Sequence, residues 1–324
     1  MRCAVAVRQD PQDPIAGLEL TELDLDPPDG WVPVTVRAAS LNHHDLWSLR
    51  GVGLPAERLP MVLGTDAAGV LRDGTEVVVH SVVASPDWHG EETLDPRRTL
   101  LSERHPGTLA ETVWVPPRNA VPKDPVLTWE EAACLPTAYL TAFRLLFRAA
   151  DLRPGQTVLV QGAGGGVATA AVLLGRAAGL RVWVTSRTPE KRSRALELGA
   201  HEAFETGARL PEQVDAVIET VGEATWSHSL KALRPGGVVA VAGATSGAMP
   251  PADLNRVFFR SLRVVGTTMG TRSELVDLQR FLATTGVRPL VDSVTDLQGV
   301  PSALGRMAAG DVMGKIVVAL GSEK

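Results

Sequence analysis

Residues 158–171 read VLVQGAGGGVATAA, and the order within that stretch decides the fold: an apolar strand, a glycine turn at Gly162, Gly164, Gly165 and Gly166, and a helix opening at Val167. Glycines let a backbone approach a pyrophosphate, and the unpaired N–H groups of a helix start meet its charge. The stretch therefore predicts dinucleotide binding. Its bland alternative is a turn that serves only close helix packing. The last glycine of the usual pattern is Ala168 here, still small enough for helix and strand to touch.

Downstream, apolar strands and helices alternate: VWV at Val182, a helix from Pro189, DAVIET from Asp215, and GVVAVAG ending at Gly243. Strands spaced roughly 20 to 30 residues apart with helices between them imply right-handed βαβ units on a parallel sheet. For the helix at Pro189, Thr188 is the expected N-cap and Gly199 the left-handed stop. A further helix is expected at about Ser273 to Thr284. Upstream, from Met1 to about Lys123, the pattern is β: short apolar segments such as Val32–Ala39 and Ala67–Leu71 separated by Pro, Gly and Asp turns. The fold class is α/β, with a β-rich part and a doubly wound part.

The second strand of the αβ stretch ends VWVTSRTPEK. A fold that prefers NADH places Asp or Glu there for the ribose hydroxyls. Thr185, Ser186, Arg187 and, one turn on, Lys191 stand there instead, and such donors suit a 2'-phosphate. NADPH is the expected cofactor; otherwise Arg187 and Lys191 are a solvated helix start.

A chain of 324 residues with 44% hydrophobic and 21% charged residues suggests two globular domains. A net charge of -5 argues against a nucleic-acid partner, whose phosphates need clustered Lys and Arg. The longest apolar run, Val167 to Leu180, is interrupted by Arg176 and falls short of the ~20 residues of a membrane span. With only two cysteines, Cys3 and Cys134, there is no disulfide framework, which suits a reducing, cytoplasmic setting.

The segments EEAACLPTAYLTAFRLL from Glu130, LRPGQTVLVQGAGGGV from Leu152, VDAVIETVG from Val214, LRPGGVVAVAG from Leu233 and GKIVVAL from Gly314 together resemble the medium-chain dehydrogenase/reductase superfamily. Within it the similarity is to the zinc-independent quinone oxidoreductase and enone reductase branch and to zinc-type alcohol dehydrogenase relatives. The resemblance implies a GroES-like catalytic domain, residues 1–124 and 268–324, and a Rossmann NADP-binding domain, residues 125–267. It also implies a homodimer.

Zinc-dependent members hold a catalytic metal with a Cys, the His of Gly-His-Glu, and a second Cys or Asp. By the same register these fall on Asn42, on Thr65 within Gly64-Thr65-Asp66, and on Thr137, none of which is a good zinc ligand. Cys134 lies three residues too early. The structural-zinc lobe corresponds to PDWHGEETLDPRRTLLSERHP, residues 86–106, which lacks cysteine. No metal is expected. A rescue site from His43, His44 and Asp66 is disfavoured because adjacent side chains rarely converge on one ion.

The stretch LNHHDLW, residues 41–47, then supplies a pocket of donors. The resemblance places Asn42 where an amide orients nicotinamide or substrate, His43 near the cofactor phosphates, and His44 where alcohol dehydrogenases keep a proton-relay hydroxyl. Tyr139 and Thr141 are expected beside the nicotinamide, and Gly243 is expected among the cofactor-binding residues. The expected catalytic residues are Asn42, His44 and Tyr139; for the two ionisable ones the bland reading is a satisfied structural role. Asp45 is expected to tie the loop down. The expected activity is metal-free, NADPH-dependent reduction of a small molecule, a quinone or α,β-unsaturated carbonyl. The alternatives are an alcohol or aldehyde dehydrogenase and a nucleotide-binding protein without turnover.

Overall fold

The computed structural model describes residues 1–321, which form two compact units, residues 1–138 with 270–321 and residues 139–269. The first crossing comes at Ala138 and not at the expected residue 124, and the second at Met269 and not at 267. Residues 322–324 of the expected catalytic range lie outside the described residues. The first difference has a local cause. The helix Trp129–Ala133 is started by a capping box in which the Thr128 hydroxyl accepts the Glu131 amide and the Glu131 carboxylate accepts the Thr128 amide. It then packs on the strands Val32–Ser40 and Asp66–Leu71 of the β-rich unit. Its helical pattern marks a change of secondary structure, and the domain change comes later.

The first unit is built on a seven-stranded sheet in the order Ala120–Pro122, Glu76–Val79, Asp66–Leu71, Val32–Ser40, Lys315–Ala319, Val291–Thr295, with Thr112–Val115 also pairing Val32–Ser40. Alternate residues Val34, Val36, Val77, Val79, Val113, Val115, Ile316 and Val318 face one buried core. The register is what matters for the site: Ser40 lies opposite Asp66 on one side and opposite Val317 on the other. Residues distant in sequence thus meet at one end of the central strand.

The second unit is a six-stranded parallel sheet, ordered Glu202–Glu205, Arg181–Ser186, Thr157–Val160, Val214–Glu219, Leu233–Val241, Arg263–Gly266. Its central strands are apolar on both faces because helices cover both. Val158, Leu159, Val182, Trp183, Val217 and Val239 are all buried. The strand order reverses beside Thr157–Val160, so the glycine turn sits at the point where open α/β sheets bind ligands. The helix from that turn spans Gly166–Ala177, and that from Pro189 ends at Glu197 with Gly199 at φ +106. Among the described residues no helix is long and apolar enough to cross a membrane.

Candidate active site

In the β-rich unit three strand ends converge on Lys315. Its ammonium, 3% exposed, donates to Leu41 O at 2.6 Å, Asn42 Oδ1 at 2.6 Å and Asp66 Oδ2 at 3.2 Å. Three N–H groups meet three acceptors, so the ammonium is saturated. The Ser40 hydroxyl adds a 2.7 Å bond to Asp66 Oδ2, while Asp66 Oδ1 is buried without a partner among the described residues. Gly64, immediately upstream, has φ +99, and a Cβ there would lie 2.6 Å from Thr108 Oγ1; the turn into Asp66 admits only glycine.

Because Asn42 Oδ1 accepts from Lys315, the amide orientation is settled, and Nδ2 donates to Asp66 Oδ2 at 2.8 Å and to Thr65 Oγ1 at 3.3 Å. Thr65 Oγ1 in turn lies 2.9 Å from Thr137 Oγ1. The three positions registered onto metal ligands therefore do come together, as an amide and two hydroxyls. Asn42 and Thr65 are buried and Thr137 is partly exposed.

Zinc does not fit this donor set. A divalent ion wants thiolate, imidazole or several carboxylates, and the one carboxylate here already faces an ammonium at 3.2 Å. The Cys134 thiol donates to Glu130 O at 3.1 Å, and burial pushes its pKa up to about 12, far from the thiolate form a metal needs. No group of three His, Cys, Asp or Glu side chains with metal-site geometry occurs among the described residues. The lobe at residues 86–106 is tied by hydrogen bonds to one carboxylate. Asp95, fully buried, accepts the Arg97 amide at 2.8 Å, the Ser85 amide at 2.6 Å and the Ser85 hydroxyl.

The helix His43–Leu49 begins at Asn42, whose amide is capped by Asp45 Oδ2 at 2.8 Å, and Asp45 Oδ1 accepts the Gly64 amide at 3.1 Å. Burial raises the Asp45 pKa against the opposing pull of His44 and the Asn42 amide, and its place is structural. His44 Nε2 lies 2.9 Å from Glu103 Oε1, and its Nδ1 is buried and unpartnered among the described residues. One imidazole nitrogen is thus engaged by Glu103 and the other enclosed. His43 is exposed at the first helical position. Tyr139, in the π-helical turn Leu135–Tyr139, is fully buried, and Thr141 is 6% exposed.

In the parallel-sheet unit, Gly162 has φ +83 and Gly165 caps the helix Gly166–Ala177, whose first turn has neither a side-chain cap nor an acidic residue. Gly164 is buried in the turn and Val167 half-buried; a Cβ on Gly243 would lie 3.0 Å from Thr220 O, so strand ends close tightly there. Beneath the turn, Gln161 Oε1 accepts the Thr185 hydroxyl at 2.6 Å, and Gln161 Nε2 reaches His228 Nδ1 at 2.9 Å and Ser229 Oγ at 3.0 Å. Ser229 donates to buried Glu219 at 2.5 Å. Thr185 thus turns inward and is not a donor at the strand end, while Ser186, Arg187 and Lys191 do lie there, with Arg187 exposed. Arg192, absent from the sequence reading, joins them by donating to Ser186 O at 2.8 Å. Lys315 was likewise missed; its signal was a lone cation opening the apolar strand GKIVVAL.

Comparison with known proteins bears on both units. Residues 28–125 match the family model for the alcohol dehydrogenase GroES-like domain, and residues 166–284 that for zinc-binding dehydrogenase. The acryloyl-coenzyme A reductase of Metallosphaera sedula is 29% identical over 93% of this chain and 96% of its own. The crotonyl-CoA reductase of Streptomyces collinus is 27% identical over 91% of this chain and 82% of its own. A solved structure named as an NAD-dependent alcohol dehydrogenase superposes with a TM-score of 0.90 at 33% identity, covering 99% of this chain and all of that one.

Proposed function

Because the chain belongs to the medium-chain dehydrogenase/reductase superfamily, we propose that it is an NADPH-dependent reductase of α,β-unsaturated carbonyl compounds that works without a metal. The observation that carries this reading is the buried Lys315–Asp66–Asn42 network: the positions registered onto metal ligands hold an amide and two hydroxyls, and the Lys315 ammonium bonds to that amide. A simple aldehyde needs strong activation of its oxygen. A conjugated acceptor spreads the developing charge through an enolate, so hydrogen-bond donors suffice.

The parallel-sheet unit fits the cofactor. The open N-terminus of Gly166–Ala177 suits a pyrophosphate, and Ser186, Arg187, Lys191 and Arg192 suit a 2'-phosphate. When bound, NADPH supplies a hydride. Addition of that hydride to the β-carbon moves the C=C electron pair toward the carbonyl oxygen, and the chain's donors bind the oxygen while charge is there. A solvent proton then adds at the α-carbon, leaving the saturated carbonyl. Names of relatives include acryloyl- and crotonyl-CoA reductases, which supports enoyl thioesters as the acceptor class ahead of quinones. His43, Thr141 and Gly243 belong to the proposed cofactor set, and Asn42 to the machinery that orients the substrate's donors.

A second reading, alcohol oxidation with NAD, draws on the name of the 33% identical structure. The donor set disfavours it, since no side chain of the site polarises an alkoxide as zinc does. Purified protein should consume NADPH faster than NADH with enoyl thioesters or enones. Consumption of neither cofactor with any conjugated acceptor, or turnover confined to alcohols with NAD, would defeat the reading. Buried free cysteines are consistent with a cytoplasmic setting, and the exposed edge strand Arg263–Gly266, flanked by Phe258 and Phe259, is the proposed homodimer seam.

A further inference from the structure

We propose that the Thr137 hydroxyl is the catalytic hydrogen-bond donor to the carbonyl oxygen, polarised by the buried Lys315 ammonium through Asn42 and Thr65; this rests on the reductase reading above.

The direction of the chain follows from counting hydrogens. Lys315 donates to Asn42 Oδ1 at 2.6 Å, so the two hydrogens of Asn42 Nδ2 point away from it, one to Asp66 Oδ2 at 2.8 Å and the other between Thr65 Oγ1 at 3.3 Å and Ser40 O at 3.4 Å. The Thr65 hydroxyl has one hydrogen of its own, and Thr137 Oγ1, 2.9 Å away, is its remaining partner. Were Thr137 the donor instead, the Thr65 hydrogen would sit in a site only 1% exposed with nothing to accept it. Burying an unmade hydrogen bond costs more than making one gains. Thr65 therefore donates and Thr137 accepts, so the Thr137 hydrogen is left over. Thr137 is also the one partly exposed member of the series, so its hydrogen is directed out of the network.

Each link sharpens the next. An amide whose oxygen accepts from an ammonium is a better donor through its nitrogen, and a hydroxyl that accepts from that amide is a better donor in turn. The outermost hydroxyl presents its hydrogen three links from the Lys315 ammonium, part of whose charge is balanced by Asp66 at 3.2 Å. During reduction no proton leaves Thr137. Hydride adds to the β-carbon, the C=C pair moves onto oxygen as an enolate held by the Thr137 hydrogen, and a water proton completes the α-carbon. Thr65, Asn42 and Lys315 act through Thr137 and are positioning residues.

The test compares wild type with Thr137→Val, Thr137→Ser and Thr65→Val, using crotonyl-CoA and a simple enone with NADPH, and measures NADPH affinity by fluorescence to report folding. Thr137→Val should lower kcat roughly 100-fold, the effect of removing one oxyanion donor, with the acceptor KM and NADPH affinity within about threefold of wild type. Thr137→Ser should restore kcat to within about threefold, and Thr65→Val should lose about tenfold, the worth of one hydrogen bond. A loss of less than tenfold in Thr137→Val, or a Ser variant as impaired as the Val variant, overturns this inference while leaving an active wild type, and so the reductase reading, in place. A wild type inactive on every conjugated acceptor overturns both. Should Thr137→Val not fold, Thr65→Val at wild-type kcat is sufficient to refute the relay.

Discussion

Lys315 is the buried cation on which Leu41, Asn42 and Asp66 converge. Its pair with Asp66 is fully enclosed, so attraction between the two offsets a desolvation cost that neither could bear alone. Lys315→Met should therefore destabilise the protein by about 3–5 kcal/mol in denaturant titrations, because it strands the Asp66 charge. Lys315→Met with Asp66→Asn should recover much of that loss, and a double variant no better than the single one would contradict the account. At this scale the sequence was legible in what it lacked. Asn42, Thr65 and Thr137 showed that metal donors were gone, but not what replaced them. The replacement lies 249 residues from Asp66, and no local pattern joins two residues across a sheet register. For His44 and Tyr139 the residue type announces a possible chemistry, whereas their pairing and burial are tertiary facts that no local pattern carries.

Among elements, strands and helices of the parallel unit were legible because their signals are local: apolar runs, a glycine turn, a proline start and a left-handed stop. The helix Trp129–Ala133 was legible as a helix but not as part of the β-rich unit, since packing partners leave no mark on a five-residue pattern. The strand Arg263–Gly266 shows the converse. It ends the parallel sheet with an unpaired edge, and Val264, Phe258 and Phe259 are 48%, 58% and 80% exposed. Such an edge pairs readily with a second copy. Val264→Pro removes an edge N–H and should halve the mass seen by sedimentation equilibrium while leaving NADPH binding intact; an unchanged mass would remove this strand from the dimer proposal.

For the molecule as a whole, acid stability depends on carboxylates tied into each unit. Burial alone would raise the pKa of Asp215 and Asp292. Hydrogen bonds override it and hold both below the ordinary range, from the Thr157 amide and Arg234 for one and from the Met313 amide, Ser293 and Arg306 for the other. A carboxylate depressed on folding stabilises fully above its unfolded pKa, about 3.9, and loses that contribution as pH falls through the lower folded value. Thermal midpoints should hold steady down to about pH 5 and drop steeply below pH 4; a midpoint unchanged at pH 3 would show that these bonds contribute nothing. The two-part plan was legible in the switch from alternating to helical periodicity, whereas the return of the strand Lys315–Ala319 to the β-rich unit was legible only through the family resemblance, because no local pattern names its sheet neighbours. That return sets a timetable. A ribosome adding about 5 to 20 residues per second delivers Lys315 roughly 10 to 50 seconds after Asp66, which it trails by 249 residues. Throughout that interval the nascent β-rich half must keep an unmatched carboxylate in water, so this half cannot finish closing until Lys315 has been made.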